Sequence, residues 1–272
     1  MITIQMINDT TAINDTAKQW ALSNLDYLNS KNKLLGSSLK VEKGRDKAYT
    51  VVMYMQPADK IATKTLCAGA KLAGCKNECL ISSGMLGMTT GQRAATRRTI
   101  LFLLAPETFY AQLRKEIERE YKKHGNKLAV RLNGTSDIDF NDFIASMPNI
   151  RFYDYTKVWV RVTKNKLANY DLTYSGSAYN EKSIAMTARA VTAGARVAIA
   201  FNTGERKGEF KIPTDGIADF DTTDLRFLDK AGLGGLKYKG GSIKTRQANA
   251  ERDSFFFTPN TYNQLTNIIA RG

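Results

Sequence analysis

Three cysteines lie within thirteen residues of one another: Cys67, Cys75 and Cys79 in LCAGAKLAGCKNECL, spaced C-x7-C-x3-C, and the chain has no others. An odd, clustered set in a reducing compartment argues against a disulfide framework. Three thiolates suit a [4Fe–4S] cluster in which the protein holds three irons and the fourth takes an exogenous ligand or a carboxylate. The residues between them fit that use. Ala68, Gly69, Ala70, Ala73 and Gly74 are small enough to let backbone N–H groups approach cluster sulfides, and Lys71 and Lys76 would offset the negative charge. Two alternatives stay open. A tetrahedral zinc site wants a fourth ligand, and the single histidine, His124, lies 45 residues beyond Cys79. Free cysteines are also commonly packed as small hydrophobes.

Other polar residues are weaker candidates, each with a structural use beside the functional one. In TSDIDF, Asp137 or Asp139 could orient a ligand or approach the fourth iron; structurally, Asp139 would cap the helix that follows and Asp137 would close the turn. Arg131 and Asn133 alternate onto one face of a strand, where an inward arginine needs a carboxylate or a bound anion. Tyr153, Tyr155 and Lys157 share a face and could stack on and neutralise a nucleotide, or fill the interior. Asp221, Asp224 and Asp229 surround Arg226, which points to an ion-paired turn over a two-metal site. His124 reads as a surface residue at a helix end. The glycines of GLGGLKYKGGS (232–242) lack phosphate-loop spacing and read as a basic loop.

These residues must be positioned by regular elements. Ala17, Trp20, Ala21, Leu25 and Leu28 recur at helical steps, with Asp15 or Thr16 as a cap. Tyr49–Met55 reads as a first strand feeding the cysteine loop. From Pro106, the residues Phe109, Leu113, Ile117 and Tyr121 repeat at i+4, and Gly125 suits the position past the helix end. Strands follow at 128–133, 150–156, 170–175 and 195–202. A short helix runs through Phe143, Ile144 and Met147, a helical or turn-rich crossover covers 162–170, and a helix capped by Asn180 stops at Gly194. Short late strands in GIADFD and GGLKY flank a turn at DLRFLD. Strand starts twenty to twenty-five residues apart with helices between them predict an α/β fold with a parallel sheet. Loops at the C-terminal ends of such strands build sites. That places Cys67–Cys79, Asn133–Asp137, Tyr155–Lys157, Ser175 and Asn202 on one rim. The expected organisation is an N-terminal helical, basic extension at 1–48 and one barrel-like domain at 49–272.

The 272 residues are 43% hydrophobic and 24% charged, which excludes a disordered chain. The most apolar run, TILFLLAP, is too short to span a bilayer, and the N-terminus does not read as a signal peptide. A membrane partner is therefore not expected. The 40 basic residues against 26 acidic ones leave a net charge of +14, which favours a polyanionic partner. Residues 60–98 carry Lys60, Lys64, Lys71, Lys76, Arg93, Arg97 and Arg98 against Glu78 alone. Residues 157–166 add Lys157, Arg161, Lys164 and Lys166. Residues 230–252 add Lys230, Lys237, Lys239, Lys244, Arg246 and Arg252 against Glu251. Merged, these would track a phosphate backbone, with Phe255–Phe257 and the rim tyrosines as stacking surfaces.

The cysteine loop, RLNGTSDIDF, FYDYTKV, DLTYS and DTTDLRFLD…GLKYKG together resemble a family of tailed-phage proteins over about residues 49–241. That family is similar in layout to radical S-adenosylmethionine (SAM) enzymes. The resemblance implies a partial (β/α)6 barrel with an N-terminal helical extension, a [4Fe–4S] cluster on Cys67, Cys75 and Cys79, and a place in the cytoplasm of an infected host. It implies no reaction. The radical-SAM cysteine spacing is C-x3-C-x2-C, which this loop lacks. The Gly-Gly-Glu segment that holds the methionine amine would fall at Asn133–Asp137, where Asn133, Ser136 and Asp137 would substitute as cofactor-binding residues.

The sequence therefore predicts a phage iron–sulfur protein that binds nucleic acid, single-stranded DNA above all. The contacts expected are Lys71, Lys76, Arg93, Arg97, Arg98, Tyr155, Lys157, Lys237 and Lys239. The alternative is a radical-SAM-like enzyme using SAM on a nucleotide or nucleic acid. A zinc-stabilised scaffold contacting host factors is a third reading.

Overall fold

A computed structural model of the chain describes residues 1–76, 79, 84–202, 213, 216–238 and 254–271. They form two compact units: Met1–Ala68 with Gly84–Phe152, and Gly69–Ser83 with Tyr153–Gly272.

The first unit starts with short helices α1 (Ile4–Asp9), α2 (Asp15–Ser23), α3 (Leu25–Leu28) and α4 (Leu39–Glu42). The cap of α2 is Asn14, one residue ahead of the expected Asp15; its side chain accepts from the Ala17 N–H at 3.0 Å. Ala17, Ala21 and Leu28 are buried, as their spacing predicts. Strand β1 (Tyr49–Val52) is shorter than Tyr49–Met55, although the Met53 N–H still donates to the Arg131 carbonyl at 2.9 Å. Then come α5 (Gly84–Gly87), α6 (Thr89–Leu104) and α7 (Pro106–His124). Helix α7 has its predicted limits: proline opens it, Gly125 at φ +54 closes it, and Phe109, Leu113 and Ile117 are fully buried. Strand β2 (Leu128–Arg131) pairs in parallel with β1, Tyr49 opposite Leu128 through Val52 opposite Arg131. Helix α8 (Asn141–Ala145) leads to β3 (Arg151–Thr156), whose Arg151 and Phe152 pair with Ala129 and Val130.

In the second unit, α9 (Trp159–Lys164), β4 (Tyr170–Ser175), α10 (Glu181–Thr192) and β5 (Arg196–Phe201) continue the alternation. Asn180 caps α10, accepting from the Ser183 N–H at 2.9 Å, and Gly194 at φ +75 ends it. After β6 (Ala218–Asp219) and β7 (Gly232–Lys237), helix α11 (Pro259–Arg271) closes the described chain. The strand order here is β3-β4-β5-β7-β6, with β5 paired in parallel to β7 over six residues, Arg196 opposite Gly232 through Phe201 opposite Lys237. The core comprises Tyr174, Ile184, Ala188, Val197, Ile199, Phe201, Phe257 and Leu265.

The α/β class and the parallel sheet match the expectation. Seven strands are described where the resemblance implies six. Gly232–Lys237 is the late strand expected in GGLKY, and it corrects the loop expected over 232–242 across its first six residues. The reason is local. A Cβ on Gly234 would lie 2.2 Å from the Phe220 ring, so glycine lets that ring cover the strand face.

Candidate functional site

In the first unit, the loops after β1 and β2 meet. The Asp137 N–H donates to the Leu66 carbonyl at 2.9 Å, and Cys67 and Asp137 form a parallel bridge. A Cβ on Gly134 would lie 2.6 Å from the Met53 carbonyl oxygen, so this close approach requires glycine. The Thr135 hydroxyl accepts from the Met55 N–H at 3.1 Å and donates to the Met55 carbonyl. The half-buried Cys67 sulfur receives the Ala58 N–H at 3.3 Å. Ala58 is the one described non-glycine residue at positive φ, +48, a backbone strain held at the residue that faces this sulfur. N–H donation to sulfur is a contact that tunes iron–sulfur thiolates.

The expected cofactor residues have structural partners here. Asn133, 2% exposed, accepts from the Ile138 N–H at 2.8 Å and the Ser136 hydroxyl at 2.9 Å, and donates to the Ile138 carbonyl at 3.0 Å. Asn133 and Ser136 thus close the 133–138 turn on each other. Asp139 accepts from the Asn141 N–H at 2.9 Å in a local turn, while the cap of α8 is Phe140, not Asp139 as expected, and no side chain bonds there. Arg131 is half-buried. His124 stacks on the Tyr49 ring, centroids 3.6 Å apart, and lies 3.7 Å from Glu120.

The basic residues of this unit divide. Arg93 is exposed, lies over the Tyr27 ring at 4.2 Å and donates to Asn24 at 3.1 Å. Arg97 is 2% exposed, and its guanidinium donates to the carbonyls of Tyr27, Ser30 and Asn32. Arg98 is half-buried and donates to the Tyr54 carbonyl at 3.1 Å. Burial pulls both arginines below their ordinary pKa, with Tyr27 and Glu116 opposing it.

In the second unit, residues 69–76 form a turn-rich segment with Cys75 half-buried. A Cβ on Gly69 would lie 2.6 Å from the Lys157 Cβ, and one on Gly74, at φ +64, would lie 2.2 Å from the Tyr179 ring. The Ser177 hydroxyl donates to the Ala73 carbonyl at 2.8 Å, and the Ser183 hydroxyl to the Leu72 carbonyl at 3.0 Å. The segment is thus pinned to the ends of β3 and β4 and to the first turn of α10. Lys71 and Lys76 are exposed, and the half-buried Cys79 is also described.

Lys157 and Ser175 do come together, as the shared rim predicts: the Lys157 Nζ donates to the Ser175 hydroxyl at 3.0 Å and lies 3.8 Å from the Phe255 ring centroid. The Tyr155 hydroxyl is 3.5 Å from Asp224. Asn202 is buried and its N–H donates to the Phe257 carbonyl at 2.9 Å. Phe256 and Phe257 are buried, so neither offers a stacking face. Arg226, 1% exposed, pairs with Asp229 at 3.1 Å and lies 3.9 Å from the Phe220 ring centroid, which is the ion-paired turn expected of this segment. The half-buried Lys237 donates its N–H to Asp221 at 2.8 Å, whereas Lys239 lies outside the described residues.

The sequence reading missed Tyr179 and Lys182, both exposed beside the segment 69–76. Their signal was faint: a tyrosine immediately before a helix cap and a lysine in its first turn. Among the described residues no group of three His, Cys, Asp or Glu side chains is gathered to hold a metal ion. No described helix is long and apolar enough to cross a membrane. No curated protein and no solved structure matches the chain. Residues 20–255 match the Gene product 88 family, and the chain, matched over most of its length, belongs to this family of phage type.

Proposed function

We propose that the protein is a phage [4Fe–4S] protein of the infected host's cytoplasm that binds single-stranded nucleic acid through a basic surface near its cysteines. The observation that carries the reading is the chain's entire cysteine content, three thiols within thirteen residues, in a chain of net charge +14. Cys67, Cys75 and Cys79 would hold the cluster. Their half-burial as free thiols and the Ala58 N–H on the Cys67 sulfur support it. Three thiolates fit a cluster by their donor chemistry, while among the described residues no three His, Cys, Asp or Glu side chains form a ready-made metal group. When bound, the cluster would supply a rigid, redox-responsive cross-link of the loop.

The second reading is a radical-SAM-like partial (β/α)6 barrel acting on a nucleotide or nucleic acid. The parallel α/β sheet supports its fold. The mutual pairing of Asn133 and Ser136 weighs against a methionine-binding segment there and favours binding over catalysis. Anaerobic purification with iron and sulfide quantification tests the cluster. About four irons and four sulfides per chain are expected, falling on substitution of any cysteine by alanine. Iron-free protein, or zinc in its place, overturns it. Adding SAM to the reduced protein while recording its electron paramagnetic resonance separates the readings: an unchanged spectrum supports binding, and an altered one supports the enzyme.

A further inference from the structure

The second unit exposes a small surface whose composition differs from its surroundings. Leu72 is 68% exposed and Tyr179 36%, both large apolar groups in contact with solvent. They are neighbours, because Gly74 meets the Tyr179 ring and the Leu72 carbonyl accepts from Ser183. Lys71 flanks Leu72, and Lys182 lies in the first turn of α10 between Glu181 and Ser183; both lysines are exposed. The backbone beneath is fixed at Ala73 and Leu72 by the Ser177 and Ser183 hydroxyls, so the ring and the cations stand on a rigid support. A rigid aromatic ring bordered by flexible cations suits a strand that offers base faces and phosphates together. A duplex presents no unstacked base to such a ring.

We infer that Tyr179 stacks a base of a single-stranded nucleic acid while Lys71 and Lys182 neutralise adjacent phosphates. The inference rests on the nucleic-acid reading and deepens it, moving the stacking role from Tyr155, whose hydroxyl faces Asp224, to Tyr179.

The test is fluorescence anisotropy of a labelled oligo(dT) of about 20 nucleotides with the full chain across a salt series. Tyr179→Phe keeps the stacking face and holds affinity within about twofold, whereas Tyr179→Ala weakens it about tenfold. The lysine pair, K71A/K182A, lowers the slope of log affinity against log salt by about 1.4, that is 0.7 for each lost phosphate contact. Because the Tyr179 ring packs on Gly74, a thermal melt accompanies Tyr179→Ala, and the lysine pair, exposed and away from the core, carries the test if that variant unfolds. Wild-type binding with an unchanged salt slope in the lysine pair overturns this inference and leaves the nucleic-acid reading standing. No wild-type binding overturns both.

Discussion

Arg97 in the first unit and Lys71 in the second carry equal weight in the sequence: each is one positive charge in a basic stretch near the cysteines. Folding separates them. Arg97 lies inside its unit with three carbonyl oxygens as acceptors, while Lys71 stands in solvent at the tip of a pinned turn. The same holds for the acids: Glu116 is buried and accepts from the Leu34 and Leu35 N–H groups at 3.0 Å, whereas Glu181 is exposed beside Lys182. A charge that satisfies backbone groups holds a loop in place. A charge that meets only water remains open to a phosphate. Net charge counts both alike, so +14 by itself does not say which cations a polyanion would meet.

The largest effect should come from breaking the internal cation. Arg97→Ala leaves three carbonyls without their charged donor and should lower unfolding stability by about 3 kcal/mol, read as an earlier urea midpoint. If stability is unchanged, the division between internal and surface cations fails at its strongest point. Next is a steric probe in the second unit. Gly234→Ala places a Cβ against the Phe220 ring and should cost about 2 kcal/mol, with Phe220→Ala added to relieve the clash in a double-mutant cycle.

A pH effect follows from Tyr174, whose hydroxyl burial pushes up to about 12. Its raised folded-state value means the contribution to stability is intact below the unfolded value of about 10 and is lost as pH rises toward about 12. Tyr174→Phe should therefore lose less stability than the wild type across that window in alkaline melts. The smallest effect belongs to K71A/K182A, expected within about 0.5 kcal/mol of the wild-type stability. Set beside Arg97→Ala, a neutral result there sharpens the contrast, and a large loss would show the two lysines to be structural.

Much of the fold was legible. Strand β4 has its predicted limits, and α7 and α10 carry their caps and stops where expected: Pro106, Gly125, Asn180 and Gly194. Helix α6 was not legible, because its buried residues include Thr96, Arg97 and Thr99 beside Ile100 and Leu101, and polar side chains that satisfy buried partners erase the apolar period. Strand β7 was legible in part: GGLKY read as a short strand, while its glycines also read as loop until the Phe220 ring that packs on Gly234 is in view. Of the candidate site, the meeting of Lys157 with Ser175 and the ion pair of Arg226 with Asp229 were foreseen. The pairing of Asn133 with Ser136 was not, since a side chain's partner depends on the turn it closes.

The amino-acid sequence by itself determined the local elements and the chemistry on offer: helical caps, the βα alternation, three clustered thiols and an excess of cations. These follow from nearest-neighbour sterics, periodicity and side-chain type, all properties of short stretches of chain. Only the tertiary structure decided which polar groups were used internally and which were left at the surface. That choice turns on burial and on donors brought together from distant positions, as Arg97 meets the loop at 27–32 and Ser183 meets Leu72.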